Sequence, residues 1–244
     1  MRRDRDPPIV ERKGRIPQAA REQVDHLELE NAMTLPIPQP QDKVNCWTTQ
    51  TVSMGEDILD RMERAVVRVR ERLLRATAAL NQAGVPYAVV GGNAVASWVA
   101  TVDEGAVRNT RDVDLLVRRG DLPTITVAME QAGFVLDEVL DVVMFRDGTE
   151  GKPSEAVHLL FAGEKTRPDH LLPAPEIVTV KDPANFAVII LETLVVMKLM
   201  SNRDKDRTHL RDLIGVRLID RSFLTNLQPE LASRLKHLLD TPNG

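Results

Sequence analysis

The sequence predicts a mixed α/β protein with a small sheet, flanking helices and a C-terminal helical part. Three observations predict this class. Short apolar runs typical of buried strands alternate with segments of helical spacing between residues 87 and 161. A glycine pair, Gly91-Gly92, separates the first of these strands from a helix. Beyond residue 181 the apolar spacing indicates helices alone.

The N-terminal residues 1–54 are predicted to be a disordered tail. They are rich in Pro, Gln, Arg and Asp, and they lack a sustained apolar period that would support a packed core. A start placed upstream of a natural one near Met54 is the alternative interpretation. The rest of the chain is predicted to divide into a core with a leading helix at 55–180 and a C-terminal helical segment at 181–244.

A long leading helix is predicted at residues 56–82. Apolar residues recur every three or four positions from Leu59 to Leu80, which marks an amphipathic helix, and Gly84 ends it. Its other face carries arginines at the same spacing: Arg61, Arg64, Arg68, Arg72 and Arg75. A track for RNA phosphates and a solvated charged face are both open interpretations, and the second is favoured because Glu63 and Glu71 partly neutralise the arginines.

The core elements follow in a regular order. Apolar runs predict strands at residues 87–90, 112–117, 134–137, 142–146, 156–161 and 176–180. Helical spacing predicts helices at residues 93–100, 122–132, 187–200, 205–218 and 229–239. The helix over 187–200 is the longest apolar stretch and is expected to be buried, because spanning a bilayer takes about 20 apolar residues.

Two aspartates stand in the second predicted strand. Successive strand side chains alternate between faces, so Asp112 and Asp114 project from the same face. A Gly-Gly pair by itself is most often only a tight turn, but aspartate is depleted in strands. Two carboxylates beside a glycine turn that can approach a phosphate suit a divalent metal and a nucleoside triphosphate. The order of these parts indicates phosphoryl-transfer chemistry of the nucleotidyl type.

Three motifs lie in order within residues 83–219: the Gly91-Gly92-Asn93 turn, the Asp112/Asp114 pair, and a distal block with Lys198, Arg203, Lys205, Asp206 and Asp212. In these residues the chain resembles the nucleotidyltransferase superfamily with a head of the DNA polymerase β type. It is most similar to small bacterial nucleotidyltransferases of abortive-infection and toxin–antitoxin systems. The resemblance covers more than half of the chain.

The resemblance implies a fold, a substrate and a set of site residues. It implies a nucleotidyltransferase core that uses an NTP such as ATP, with Mg²⁺ or Mn²⁺ as cofactor. Asp112 and Asp114 would hold the metal and act in catalysis. The nucleotide-binding residues would be Gly91, Gly92, Asn93, Lys198 and Arg203, of which the last two would clamp the β- and γ-phosphates.

The sequence departs from the family at its third carboxylate, where His158 stands in the strand at 156–161. Imidazole accepts a proton near neutral pH, so His158 is a candidate catalytic residue. Imidazole is, however, a poor ligand for Mg²⁺ and suits Mn²⁺ or Zn²⁺ better. Glu155 lies three residues earlier and would face the opposite side of a regular strand. A packed structural histidine is the competing interpretation.

Several other polar residues have two open interpretations. Asn93 is either a phosphate donor or a helix N-cap. Arg108 and Arg111 are either phosphate or base contacts or solvated loop charges. Asp206, His209 and Asp212 share one side of a predicted helix, either as substrate contacts or as a charged surface.

Composition limits the cellular setting. The net charge is −4, so no overall basic field draws the protein to nucleic acid. The single cysteine, Cys46, excludes an intrachain disulfide and fits a reducing cytoplasm, and no secretory signal precedes it. The sequence thus predicts a cytoplasmic enzyme without a membrane segment, acting on RNA, protein or a small molecule. A nucleotide- or partner-binding module without catalysis, and a toxin-type component with an antitoxin partner, are the alternatives.

Overall fold

The computed structural model of the protein describes residues 48–242, with side chains for residues 57–242. Its strands are β1 (Tyr87–Val90), β2 (Val113–Val117), β3 (Phe134–Val139), β4 (Val142–Asp147), β5 (Val157–Phe161), β6 (Thr179–Lys181) and β7 (Ala187–Ile189). Its α-helices are α1 (Thr48–Gln82), α2 (Gly91–Ala100), α3 (Leu122–Gln131), α4 (Leu191–Ser201), α5 (Asp204–Gly215) and α6 (Pro229–Asp240). Residues 1–47 of the tail predicted at residues 1–54 lie outside the described residues.

The seven strands form one mixed sheet in the order β3-β4-β5-β2-β1-β7-β6. The pairs β2–β5 and β1–β7 are parallel, and the other neighbours are antiparallel. Strands in the middle of a sheet covered by helices are buried on both faces, which explains the almost continuous apolar sequence of β1 and β2. The prediction of a mixed α/β class with a C-terminal helical part is confirmed.

The helices pack around this sheet in two groups. Helices α1 and α3 contact each other, with α1 also touching β2 and β5 and α3 touching β3. Helix α2 packs on β1, β2 and β7, and it is contacted by α4 and α5. Helix α6 packs against α4 and α5. The C-terminal helices therefore lie against the helix that follows the glycine turn.

Helix α1 starts at Thr48, before the predicted start at residue 56. The prediction was late because it relied on the apolar spacing, which begins only near residue 59. Its apolar face divides into two parts. Leu73, Ala76 and Leu80 are buried in the core, whereas Leu59 remains 66% exposed. The prediction of one buried amphipathic face holds only for the C-terminal half of the helix.

The predicted arginine face of α1 is also divided. The side chain of Arg72 is only 3% exposed, and its guanidinium lies 3.3 Å from Asp147 Oδ2 and 3.8 Å from Glu155 Oε2. Arg75 forms an ion pair with Asp147 and stacks 4.4 Å above the ring of Phe134. Both arginines bind the helix to the sheet, so neither a solvated face nor a phosphate track describes them.

Strand β7 corrects the prediction of a helix over residues 187–200. Ala187–Ile189 instead pairs in parallel with β1 and antiparallel with β6. A short apolar run fits a buried strand as well as a buried helix, and the neighbouring strands decide between them. The helix begins only at Leu191.

Candidate active site

The turn after β1 brings its backbone against a carboxylate of β2. Gly91 has a φ of +68°, and a Cβ at this position would lie 1.9 Å from Asp114 Oδ2. A Cβ on Gly92 would lie 2.7 Å from Thr110 Oγ1. Both glycines therefore permit a close approach that no other residue allows, and the Gly-Gly pair is more than an ordinary turn.

Gly91→Ala should lower the thermal midpoint by more than Gly84→Ala does. Gly84 is a matched control, since its φ is +66° and an added Cβ meets nothing within 4 Å. Both variants carry the cost of left-handed backbone, about 1–2 kcal/mol, and only Gly91→Ala displaces Asp114. Thermal unfolding of the two variants measures the difference, and equal midpoints would contradict the close approach.

The strand register aligns three positions across the sheet. Val90 is opposite Asp114 in β2, and Asp114 is opposite His158 in β5. His158 Nδ1 lies 4.0 Å from Asp114 Oδ1, which is longer than a hydrogen bond. The structure thus places His158 beside Asp114.

Asn93 connects the start of α2 to the aspartate pair. Its side-chain Nδ2 donates to the backbone oxygen of Asp112 at 2.7 Å. Helix α2 begins at Gly91 with Val90 as its N-cap, so the alternative interpretation of Asn93 as an N-cap is wrong. Because Val90 has no polar side chain, the first-turn N–H groups of α2 receive no side-chain cap.

Burial and neighbouring charges both act on the aspartate pair. Burial raises the pKa of Asp114, and the adjacent Asp112 charge acts in the same direction, while His158 and Lys198 oppose them. The Asp114 side chain nevertheless keeps 26% of its surface exposed, so it remains accessible to a ligand. Lys205 Nζ lies 3.8 Å from Asp112 Oδ2. A carboxylate whose ionised form is unfavourable without further positive charge suits a cation.

The distal block forms a buried ionic cluster around Asp206, which is 0% exposed. Lys198 Nζ donates to Asp206 Oδ1 at 3.0 Å. Ser201 Oγ at 2.7 Å and Arg203 Nε at 2.8 Å both donate to Asp206 Oδ2. Burial opposes the Asp206 charge, but the Arg203 hydrogen bond and the Lys198 charge hold its pKa well below the usual range. Lys198 and Arg203, the two residues predicted to bind the β- and γ-phosphates, thus share Asp206 as their carboxylate partner.

Lys198 remains linked to the aspartate pair through its charge. Burial lowers its pKa, and the charges of Asp206 and Asp114 oppose that effect. Arg203 is 43% exposed at its side chain, so it is the more accessible of the two predicted clamps. The charges of Lys198 and Asp114 therefore act on each other's pKa.

The remaining charged candidates differ in their surroundings. Arg108 makes a bidentate ion pair with Asp212, with both N–O distances at 2.9 Å. His209, which was grouped with Asp206 and Asp212, has its pKa lowered to about 4, first by burial and then by the Lys198 charge. Arg111 accepts a hydrogen bond at its backbone oxygen from Arg72. Arg108 and Asp212 therefore connect the loop before β2 to α5.

Lys205 is the residue that sequence reasoning undervalued, because it was placed in the distal block without a role at the site. Its distance to Asp112 places it at the site. The signal that would have found it is its position next to Asp206 in the distal block. Glu155, in contrast, contacts Arg72. Within residues 57–242, no three His, Cys, Asp or Glu side chains cluster closely enough to hold a metal ion together.

Several solved structures are similar to this chain. The antibiotic-resistance factor ANT(2'')-Ia has a TM-score of 0.44 at 13% identity, over 72% of this chain and 93% of that one. A nucleotidyltransferase-like protein from Paracoccidioides brasiliensis has a TM-score of 0.47 at 19% identity, over 71% and 88%. The Megavirus polyadenylate synthase has a TM-score of 0.39 at 8% identity, over 74% and 33%. The sequence matches no family model and no curated protein.

Across the part of the chain that the structure describes, no helix is both long and apolar enough to cross a bilayer.

Proposed function

We propose that this protein is a divalent-metal-dependent nucleotidyltransferase that transfers a nucleoside monophosphate from an NTP to a hydroxyl group. The observation that carries the proposal is the close approach of the Gly91 backbone to the Asp114 carboxylate at the start of α2. This approach puts helix N–H groups, which bind phosphate oxygens, beside a carboxylate pair that suits Mg²⁺ or Mn²⁺.

The residues of the site have separate roles in the proposal. The acceptor oxygen attacks the α-phosphorus, the bond from that phosphorus to the β-phosphate oxygen breaks, and pyrophosphate leaves. When bound, the metal neutralises the triphosphate and stabilises the leaving pyrophosphate. Asp112 and Asp114 would hold the metal, and the Gly91-Gly92 backbone with the first turn of α2 would hold phosphate oxygens. Asn93 keeps α2 in place through the Asp112 backbone.

The positive charge for the rest of the triphosphate comes from the C-terminal helices. Arg203 is partly exposed and contacts the β- and γ-phosphates in the proposal. Lys198 contributes through its charge near Asp114, and Lys205 lies beside Asp112. This arrangement assigns the phosphates to the space between the sheet and α5.

In this proposal His158 receives the proton of the acceptor hydroxyl. The His158→Ala variant should lose about 10²-fold or more in transfer rate, since a general base contributes about 10²–10⁴-fold. The rate of wild type, His158→Ala and His158→Asp is measured in Mg²⁺ and in Mn²⁺. Equal rates for wild type and His158→Ala would exclude His158 from catalysis.

A nucleotide- or partner-binding module without catalysis is the second candidate, and His158 in place of the family's third carboxylate favours it. Activity that appears only in His158→Asp would support this candidate. The two candidates are separated by incubating the protein with each labelled NTP, total cell RNA and total cell protein, in Mg²⁺ and in Mn²⁺. Label transferred to any acceptor supports the enzyme, and nucleotide binding without transfer supports the module.

The proposal also concerns the class of acceptor and the cellular role of the protein. RNA, a protein side chain and a small molecule such as an aminoglycoside are the acceptor classes, and the same labelling experiment distinguishes the first two by nuclease and protease treatment. The abortive-infection resemblance of the distal block favours a toxin-type component with an antitoxin partner. Growth arrest on expression, lost in Asp114→Ala, is the result expected for that role.

A further inference from the structure

A cleft between α5 and α6 lies outside the residues assigned to the metal and the NTP. It has a volume of about 520 Å³, within the range of ligand-binding pockets. Its walls are mostly polar, and none of the residues that form them is acidic: Asn202, Arg207, Ser233, Arg234, His237 and Leu238. The chain as a whole has a net charge of −4, so this basic cleft is a local feature.

Backbone oxygens hold the two arginines of the cleft in place. Arg234 Nη1 donates to the carbonyl oxygens of Leu199 at 2.8 Å and Met200 at 3.3 Å, at the C-terminal end of α4. Arg207 Nη1 donates to the backbone oxygen of Asn202 at 2.9 Å. Guanidinium groups that are already fixed lose less conformational entropy when they bind an anion, which favours binding.

Each of these arginines also pairs with an acid outside the walls of the cleft. Arg207 pairs with Asp204, whose side chain is 94% exposed, and Arg234 pairs with Glu230, whose side chain is 54% exposed. Ion pairs with exposed acids are weak, because water and salt screen them. A phosphate group that accepts two parallel N–H bonds from a guanidinium therefore competes well with these carboxylates.

Arg203 connects the cleft to the candidate active site. It is the N-cap of α5, one residue after Asn202 and one helical turn before Arg207. Its Nε donates to Asp206, which also accepts from Lys198. The proposed function assigns Arg203 to the β- and γ-phosphates of the NTP, so the cleft lies next to the position of those phosphates.

The loop between β5 and β6 adds a further arginine near Arg203. Burial first, and then the charges of Arg167 and Arg203, lower the pKa of His170, while Asp169 opposes them. Both arginines therefore lie near the His170 side chain. Basic side chains from this loop, α5 and α6 thus form one surface, which we call the basic track: Arg167, Arg203, Arg207, Arg234 and His237.

We propose that the basic track binds a single-stranded RNA, whose terminal ribose hydroxyl accepts the nucleoside monophosphate. This inference rests on the proposed function and names its acceptor. A series of basic groups matches the repeated phosphates of a single strand, and bases stack on imidazole and guanidinium planes. Asn202 and Ser233 offer hydrogen bonds to a 2′-hydroxyl, the group that distinguishes RNA from DNA. A polycationic acceptor such as an aminoglycoside would be repelled by the same surface.

Fluorescence anisotropy of a labelled oligouridylate with the full chain, without metal or NTP, tests the RNA site. Ser233→Glu should weaken binding about tenfold or more, because it places a negative charge in the cleft. Thr225→Glu is the matched control. Thr225 is also exposed, precedes α6 and does not line the cleft, so the same charge change should leave the affinity unaltered. Equal losses in both variants would overturn the proposal.

The salt dependence of binding tests the phosphate contacts. On a single strand each contact adds about 0.7 to the slope of log affinity against log salt concentration, so Arg207→Gln/Arg234→Gln should reduce the slope by about 1.4. Arg221→Gln/Lys236→Gln removes two exposed charges that pair with Asp240 outside the track, and it should leave the slope unchanged. Circular dichroism checks the fold of both variants. Equal slopes for two folded variants would contradict the track.

Transfer to the bound RNA tests the acceptor role. With labelled NTP and Mg²⁺ or Mn²⁺, the protein should label oligouridylate. An oligouridylate that ends in a 2′,3′-dideoxynucleotide should bind equally and remain unlabelled. Ser233→Glu should raise the KM for oligouridylate and leave the thermal shift induced by Mg·NTP unchanged.

The outcomes separate this inference from the proposed function. Oligodeoxyuridylate that binds as tightly as oligouridylate overturns the assignment to RNA. A chain that is stabilised by Mg·NTP but does not bind oligouridylate overturns this inference and leaves the proposed function intact. A chain that binds oligouridylate at the track, but neither binds nor transfers a nucleotide, overturns the proposed function and the acceptor role and supports the RNA site.

Discussion

Asp114→Asn should abolish metal-dependent nucleotide binding without lowering the stability of the metal-free protein. Burial raises the pKa of Asp114, so its charged form destabilises the folded state at neutral pH, and an uncharged amide of the same size removes that effect. Wild type, in contrast, should gain about 2.7 kcal/mol at a Mg·NTP concentration of 100 times Kd. For a protein of this size that gain corresponds to about 5–10 °C in thermal midpoint.

Thermal unfolding and calorimetry measure both parts of this prediction, with and without Mg²⁺ or Mn²⁺ and NTP. Asp112→Asn is the companion variant and should also lose the nucleotide-induced shift, since both carboxylates hold the metal in the proposal. The raised pKa adds a pH dependence: protonation neutralises Asp114 as pH falls, so the stability advantage of Asp114→Asn should shrink. Unchanged Mg·NTP affinity in both variants would contradict the assignment of the metal site.

Asp206→Ala should lower the free energy of unfolding by about 3–5 kcal/mol, since it leaves the buried ammonium of Lys198 without its carboxylate partner. The thermal midpoint should fall by about 6–20 °C. Asp240→Ala is the matched control. Asp240 also pairs with two cations, Arg221 and Lys236, but all three side chains are well exposed, so its removal should change the midpoint little.

The origin of the Asp206 effect can be separated from a simple loss of packing. In Asp206→Leu/Lys198→Met both charges are removed, and much of the stability should return. Because the pKa of Asp206 is held below its usual range, its contribution is present at neutral pH and is lost in acid, as pH falls below the ordinary carboxyl range. Equal midpoints for Asp206→Ala and Asp240→Ala would contradict a buried charge at Lys198.

Both predictions concern the same region, because Lys198 acts on each carboxylate. Its hydrogen bond goes to Asp206, while its charge lowers the pKa of Asp114. The ionic cluster in α4 and α5 therefore stabilises the fold and adjusts the electrostatics of the candidate metal site. Substitutions in the distal block should affect stability and nucleotide binding together, so stability is measured before any loss of activity is interpreted.

The sequence was sufficient for the parts of the site that depend on local geometry. Alternation along a strand predicts that Asp112 and Asp114 share one side, and the glycine pair after an apolar run predicts a turn followed by a helix from residue 93. In the structure β2 begins at Val113, one residue after Asp112, and the helix begins at Gly91 itself. The alignment of His158 with Asp114 also follows from the sequence, once the strand at 156–161 is compared with the family pattern, and the register of β2 and β5 agrees with it.

Tertiary structure alone decided the contacts between distant segments. Arg72 and Leu59 belong to the same helix, yet Arg72 is buried and Leu59 is exposed because the sheet covers only one end of α1. Ala187–Ile189 becomes a strand because β1 and β6 flank it. The pairing of Lys198 with Asp206, and of Arg108 with Asp212, depends on how α4, α5 and the loop before β2 come together. Sequence spacing determines which side chains share a face, whereas burial and ion pairing depend on what the folded chain places against that face.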